Sequence, residues 1–81
     1  MQLDVLLFAA ARQMANCDHV TIEVGDNATA ADVLQALGRQ HPQLDGLLPS
    51  CRLAVDCTYV DSENPITPDS EVALIPPVSG G

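Results

Sequence analysis

Two segments of this chain are continuously apolar: Val5-Leu6-Leu7-Phe8 near its start and Val72-Ala73-Leu74-Ile75 near its end. A strand that is covered on both faces has such a sequence, because no position along it faces water. We therefore predict covered strands over residues 2–8 and 71–75. Both are covered if they lie side by side and parallel in the middle of one sheet.

The segment that follows the first apolar run alternates between apolar and polar residues. Val20, Ile22 and Val24 share one parity, and Thr21 and Glu23 share the other. This alternation is typical of a strand with one face on a core and the other in water. The sequence therefore predicts a half-buried strand over 17–24, with residues 13–18 as the hairpin connection from the first strand.

A helix is predicted from its start signal, its apolar spacing and its stop signal. Thr29 is an N-cap residue, and Asp32 lies three positions later, where an acid complements the free N–H groups of the first turn. Apolar residues follow at the i, i+3, i+4 and i+7 spacing that lines one helix face: Ala30, Val33, Leu34 and Leu37. The pair His41-Pro42 ends the helix, and residues 43–50 leave room only for turns or a short helical piece.

The remaining strands complete a mixed sheet. Residues 52–56 have a short β-compatible sequence in which Leu53 and Val55 are expected to face inward, and 56–60 is predicted to be a tight reversal. With one main helix packed across the sheet, the fold class is α+β, a two-layer sandwich. The element order is compatible with the β-grasp, or ubiquitin-like, arrangement, in which the first and last strands form the parallel central pair.

Length and charge restrict the kind of protein and of partner. The 81 residues, 8.5 kDa in mass, suffice for one domain. The formal charge is −8, from 11 acids and three arginines, and there is no lysine. Such a chain repels a phosphate backbone, and its only aromatic residues, Phe8 and Tyr59, give bases little to stack on. Nucleic-acid binding is therefore excluded, and the acidity favours a basic protein partner about as strongly as a plain solubility role.

No segment of the sequence predicts a membrane span. The longest apolar run, residues 5–11, has seven residues, against roughly 20 for a helix that crosses a bilayer. The first residues carry no basic signal-peptide region, and we expect a cytoplasmic protein. The three cysteines form no Cys-x-x-Cys pair, which fits neither a disulfide framework nor a zinc site, so reduced thiols and no bound metal are expected. Two groups of residues are given no role: Cys17, Cys51 and Cys57, and His19 and His41.

The segment Pro76-Pro77-Val78-Ser79-Gly80-Gly81 follows the expected globular domain of residues 1–75 as an extended tail. Its two prolines fix φ and hold the chain extended, which lowers the entropy lost when a partner binds it. Its two glycines have no Cβ, so their backbone can enter a channel that is too narrow for any other residue. The reactive group at the end of such a tail is the α-carboxylate of Gly81 rather than a side chain.

These features resemble the MoaD/ThiS-type sulfur carrier family, and within it the small subunits of molybdopterin synthase. The resemblance covers the whole chain, and the segments that carry it are Val5 to Ala9 with Arg12, Thr29 to Leu37, Ala54 to Asp56, and Glu71 to Gly81. The ending Pro-Pro-Val-Ser-Gly-Gly is its most specific part. Asp56 stands where the family usually has Asn. The resemblance implies a β-grasp fold.

The resemblance also implies a substrate protein that is not catalytic alone and binds no cofactor. An E1-like adenylyltransferase would use ATP to convert the Gly81 carboxylate to an acyl-adenylate, and a persulfide donor would then supply the sulfur of a Gly81 thiocarboxylate. The large subunit of molybdopterin synthase, expected in a heterotetramer of two carriers on a dimer of large subunits, would direct that sulfur to cyclic pyranopterin monophosphate. The product serves molybdenum cofactor biosynthesis. Alternatives are a sulfur carrier for thiazole or cysteine synthesis, a ubiquitin-like protein modifier, and a plain adaptor.

The residues expected to contact partners lie in and beside the tail. They are Pro76, Pro77, Val78, Ser79 and Gly80, together with the apolar residues Phe8 and Leu74, which are equally compatible with core positions. Between Asp56 and Glu71 there are five acids and no base. This pattern is expected either of solvated loops or of an acidic face that steers the tail into a positively charged pocket.

Overall fold

The chain is described over residues 1–77 by a computed structural model, and these residues form strands, helices and two 3₁₀ turns. In chain order the elements are β1 (Gln2–Leu7), α1 (Ala9–Ala15), β2 (His19–Glu23), α2 (Ala30–Gln40), the 3₁₀ turns Pro42–Leu44 and Leu48–Ser50, β3 (Arg52–Val55), β4 (Thr58–Tyr59) and β5 (Val72–Ile75). The predicted tail residues Val78, Ser79, Gly80 and Gly81 lie outside the described residues.

The five strands form one mixed sheet in the order β2-β1-β5-β3-β4. β1 and β5 are parallel, with Val5 opposite Val72, and the other neighbouring strands are antiparallel. A crossover through the helical layer makes the parallel pairing possible, because parallel strands need a long connection. The structure therefore confirms the predicted α+β class and the central position of the first and last strands.

The prediction that β1 is covered on both faces is wrong. Leu3, Val5 and Leu7 are buried, whereas Gln2 and Asp4 are exposed. The helical layer covers one face of the sheet only, so burial alternates along β1, and even the apolar Leu6 is only half-buried. We call the face that bears Leu3, Val5 and Leu7 the inner face of the sheet and the opposite one the outer face.

The hairpin connection predicted over residues 13–18 is also wrong, because α1 occupies most of the path from β1 to β2. The helix follows the extended residue Phe8 and ends at Asn16, which has a left-handed backbone with φ of 57°. Four of its seven residues are alanine, the residue with the highest helix propensity. The sequence pattern missed it because two turns of alanine show no amphipathic spacing and directly continue an apolar strand.

Helix α2 confirms the predicted start and stop, and three of the four predicted apolar positions are buried, whereas Leu34 is half-buried. The Thr29 N–H donates to Asp32 Oδ2 at 2.9 Å and the Asp32 N–H donates to Thr29 Oγ1 at 3.4 Å, which is the reciprocal capping box. The helix ends at His41. Its buried residues pack on the inner face of the sheet to form the core, and they are Ala30, Val33, Ala36 and Leu37.

A tight reversal joins β3 to β4, as predicted. Asp56 and Cys57 both have positive φ, 50° and 69°, which is the backbone of the hairpin turns that follow the sheet's twist. The Asp56 N–H donates to the Glu71 carbonyl at 2.9 Å, and the Glu71 N–H donates to Asp56 Oδ1 at 3.0 Å. These two bonds attach the reversal to the residue that precedes β5. Of the residues predicted to face inward, Leu53 is buried and Val55 is half-buried.

Candidate functional site

The last described residues leave the sheet from its centre. β5 lies between β1 and β3 and ends at Ile75. Pro76, which was predicted to contact a partner, is instead buried against the domain, and Pro77 is exposed. A segment that follows β5 therefore starts from the central strand of the sheet, with two prolines limiting its direction. The predicted partner contacts Val78, Ser79 and Gly80 and the predicted reactive residue Gly81 lie beyond the described part of the chain.

A groove lies on the outer face of the sheet beside this exit. It has a volume of about 250 Å³ and is lined by Phe8, Ala54, Cys57, Tyr59, Glu71, Ala73 and Ile75. Two small residues, Ala54 and Ala73, face each other across β3 and β5 and form its floor. We call this depression the outer groove. Three strands and the residue after β1 contribute to it, so it exists only in the folded chain.

The outer groove exposes two large apolar side chains. Phe8, just after β1, is 45% exposed, and Tyr59 on β4 is 50% exposed. Ile75 on β5 is half-buried. Apolar surface that remains accessible on a small domain commonly marks a protein contact. Phe8, which was predicted to contact a partner, is therefore available for that contact.

The prediction that Leu74 contacts a partner is corrected by the structure. Leu74 is 0% exposed, because its side chain points to the inner face and packs in the core. Neighbouring residues of a strand point to opposite faces, so the side chain that β5 presents to the outer groove is that of Ile75. The burial of Leu74 shows which side of β5 is covered. Because side chains alternate along a strand, Ile75 then belongs to the uncovered side.

Tyr59 is held by a charged neighbour. The guanidinium carbon of Arg52 lies 4.3 Å from the centroid of the Tyr59 ring, which is a cation–π arrangement. Neither Arg52 nor Tyr59 was predicted from the sequence to be a site residue. Their proximity depends on the β3–β4 register, in which Ala54 is opposite Tyr59.

The five acids between residues 56 and 71 do not form one face. Asp56 and Glu71 are joined by the two hydrogen bonds described above, and Glu71 lines the outer groove. Asp61 and Glu63 belong instead to the loop that bonds to the start of α2 through the Asn64 and Ser62 carbonyls. Asp69 is exposed in the turn between Thr67 and Ser70. Of the five acids, Glu71 lines the outer groove and Asp56 is hydrogen-bonded to it.

The cysteines and histidines show no arrangement for catalysis. Burial raises the pKa of the Cys51 thiol, which donates to the Leu47 carbonyl at 3.3 Å, so this thiol stays protonated near neutral pH. Cys17 and Cys57 are exposed and unbridged. His19 Nδ1 lies 2.9 Å from Asp18 Oδ1, and that hydrogen bond lowers the pKa of the Asp18 carboxyl.

Other possible sites within residues 1–77 offer less. No group of three or more His, Cys, Asp or Glu side chains in this part of the chain is placed to hold a metal ion. Two larger depressions, of about 670 Å³ and 660 Å³, lie beside α1 and α2, but neither is lined by a residue of β5. Across the described residues, no helix is both long and apolar enough to cross a membrane.

Comparison with known proteins gives full-length matches. The ThiS family model matches residues 5–81. The molybdopterin synthase sulfur carrier subunit of Chlamydomonas reinhardtii is 39% identical over 83 residues, covering 100% of both chains. The crystal structure of SAMP1 from Haloferax volcanii aligns over 100% of both chains with a TM-score of 0.82 and 30% identity. A chain in a complex of subunits 1 and 2 of the molybdopterin-converting factor from Helicobacter pylori aligns over 100% of both chains with a TM-score of 0.68; its 22% identity shows a shared fold.

Proposed function

This chain belongs to the ThiS family, and from that membership we propose that it is a sulfur carrier, the small subunit of a molybdopterin synthase. The observation that carries the proposal is the full-length similarity to the algal sulfur carrier subunit. The family match includes the Gly80-Gly81 ending that the sequence analysis identified as the reactive tail. The proposal therefore assigns the chemistry to the Gly81 carboxylate.

The proposed chemistry has two stages, because a carboxylate is a poor electrophile. An activating enzyme, an adenylyltransferase, transfers AMP from ATP to a Gly81 carboxylate oxygen and releases pyrophosphate. The outer sulfur of a persulfide donor then attacks the acyl carbon and displaces AMP, which gives an acyl disulfide between Gly81 and the donor. A thiol then attacks the donor's sulfur, forms a disulfide with the donor, and releases the Gly81 thiocarboxylate. That sulfur is the nucleophile for cyclic pyranopterin monophosphate, to which two carriers deliver one sulfur each. The chain itself binds no nucleotide or cofactor in this scheme.

The described residues support this role by position. The six residues from Pro76 to Gly81 span roughly 20 Å when fully extended, which is enough to reach a reaction centre inside a partner. Their anchor is the central strand β5, and the outer groove beside it offers Phe8, Tyr59 and Ile75 for docking. In the proposed complex the large subunit covers the outer groove and receives the tail. We further propose that two such carriers bind a dimer of large subunits and that this complex is cytoplasmic.

A second candidate function is attachment to other proteins as a ubiquitin-like modifier. The observation that favours it is the likeness to SAMP1, the small archaeal modifier protein 1 of Haloferax volcanii, at 30% identity over the whole chain. Both functions begin with adenylation of Gly81 and differ in the group that attacks: a sulfur donor in one, a lysine amine in the other. This chain has no lysine, so it cannot form chains through its own side chains.

The test reconstitutes both stages with purified components. The protein is incubated with a candidate activating enzyme, ATP, a persulfide donor and a thiol reductant, and its intact mass is followed. We expect the mass increase for replacement of one oxygen by sulfur, dependent on ATP. Adding the large subunit and cyclic pyranopterin monophosphate should then return the carrier to its original mass as molybdopterin forms. A mass that never changes, or covalent adducts with other proteins in place of sulfur transfer, would overturn the proposal.

A further inference from the structure

Arg52 and Tyr59 form a preorganised pair at the edge of the outer groove. Arg52 begins β3 opposite Ile75, and Tyr59 on β4 is opposite Ala54, so Arg52 and Tyr59 are diagonal neighbours on the outer face. The guanidinium carbon lies 4.3 Å from the ring centroid, and both residues are exposed. The ring thus holds a long, flexible side chain over one place on the surface.

The charge of Arg52 stands out on this face. The chain carries three arginines and no lysine against 11 acids, and Arg52 is the only arginine in any of the five strands of residues 1–77. The ion pairs within those residues are Met1 with Asp26 and His19 with Asp18. Within the described residues, the Arg52 guanidinium therefore contacts an aromatic ring and forms no ion pair with a carboxylate.

From this pair we propose that Arg52 is a specificity-determining contact, which binds a carboxylate of the protein that covers the outer groove. The proposal rests on the proposed function, in which that protein is the large subunit. The cation–π contact uses no hydrogen-bond acceptor, so the guanidinium N–H groups that do not face the ring remain free to donate. A partner that covers Phe8 and Ile75 also removes water from Arg52, and a cation that loses its water needs an opposite charge.

The same contact fixes the orientation of the partner. The acids Asp56 and Glu71 lie at the reversal that borders the groove, whereas Arg52 lies across from Ile75, where the chain leaves β5. A partner must therefore present positive charge toward the acids and negative charge toward Arg52. If the partner docked in the reversed orientation, like charges would face each other and repel. The charge pattern therefore selects one docking orientation. The selected orientation in turn sets where the tail starts relative to the partner.

The test compares two variants that change the net charge equally. Arg52→Gln removes the proposed contact, and Arg39→Gln removes a charge from the last turn of α2, outside the lining of the outer groove. Binding of the full chain to the purified large subunit is measured by surface plasmon resonance. We expect Arg52→Gln to weaken binding about 10-fold or more, chiefly through faster dissociation. We expect Arg39→Gln to bind as the unchanged protein does or slightly faster, since a more acidic chain is attracted to a basic pocket.

Two further variants separate the stacked geometry from charge alone. Arg52→Lys keeps the charge without the planar donor edge, and Tyr59→Leu keeps apolar area without the ring. Both should weaken binding by less than Arg52→Gln does, and combining Tyr59→Leu with Arg52→Gln should cost less than the sum of the two single changes. Circular dichroism should show the same folded spectrum for every variant.

The outcomes distinguish this proposal from the one it rests on. If the unchanged chain does not bind the large subunit, the proposed function fails and the Arg52 contact fails with it. If the unchanged chain binds and Arg52→Gln binds as tightly as Arg39→Gln does, the proposed function stands and only the Arg52 contact is overturned. An Arg52→Lys variant that binds as tightly as the unchanged chain would show that charge alone suffices and would overturn the stacked-pair explanation.

Discussion

Leu74 and Ile75 are adjacent in β5 and serve opposite faces of the sheet. Leu74 is 0% exposed and packs in the core, whereas Ile75 lines the outer groove beside the point where the chain leaves the sheet. One residue therefore packs in the core and the next leaves apolar surface in the outer groove. Mutation can separate the anchoring of β5 from the docking that we propose for it.

The first prediction concerns this pair. Leu74→Ala should lower the free energy of unfolding by about 2–5 kcal/mol, because it leaves a cavity in the core. Ile75→Ala should lower it by less and should weaken binding to the large subunit. Urea denaturation and surface plasmon resonance measure the two effects. The assignment of faces is wrong if Ile75→Ala destabilises the fold more than Leu74→Ala does.

The second prediction concerns the end of the chain. One residue added after Gly81 moves the reactive carboxylate by roughly 3.3 Å, and reacting groups tolerate far smaller displacements. We therefore expect loss of both thiocarboxylate formation and sulfur transfer, and the same loss when Gly81 is deleted. Gly80→Ala should impair transfer by adding a Cβ where the channel is narrow. Intact mass measures the first stage and molybdopterin formation the second.

The thermal unfolding midpoint is the control for these tail variants. None of them alters a side chain of the core formed by residues 1–77, so the midpoint should stay unchanged. A protein with the added residue that is thiolated and transfers sulfur without first being trimmed would contradict the role of Gly81.

The third prediction divides the acids between Asp56 and Glu71. Glu71→Gln combined with Asp56→Asn should slow association with the large subunit and reduce its dependence on salt, because Glu71 lines the outer groove and Asp56 is hydrogen-bonded to it. Asp61→Asn combined with Glu63→Gln removes the same charge from the loop beside α2 and should have a smaller effect. Association rates at several salt concentrations test this. Equal effects of the two double variants would indicate steering by net charge alone.

The fourth prediction concerns the Cys51 thiol, whose pKa is raised by burial. The folded state favours the protonated thiol, so its contribution to stability is fully present below the ordinary thiol pKa of 9.0 and is lost as the pH rises through the raised value. Iodoacetamide at about pH 8 should therefore label Cys17 and Cys57 and spare Cys51 until the protein is denatured. Rapid labelling of all three thiols in the folded protein would show that Cys51 is accessible.

Much of the fold was predictable because its signals are local. The capping box of Thr29 and Asp32 and the apolar spacing that follows define α2 within a dozen residues. The apolar segments at 5–8 and 72–75 mark the two central strands, β1 and β5. The turn between β3 and β4 is at the predicted residues. Helix α1 was missed because a short run of alanines after a strand lacks a periodic apolar pattern.

The sequence by itself determined the apolar segments, the main helix and the Gly80-Gly81 ending on which the proposed chemistry rests, since each depends on residues that are close together in the chain. Only the tertiary structure decided which face of the sheet is covered, and with it that Leu74 is core and Ile75 is surface. It also decided that Phe8, Tyr59 and Ile75 share one groove, although the chain separates them by up to 67 positions. The physical reason is that strand pairing and helix packing bring distant residues to one surface, and no local pattern records which of the two faces remains open.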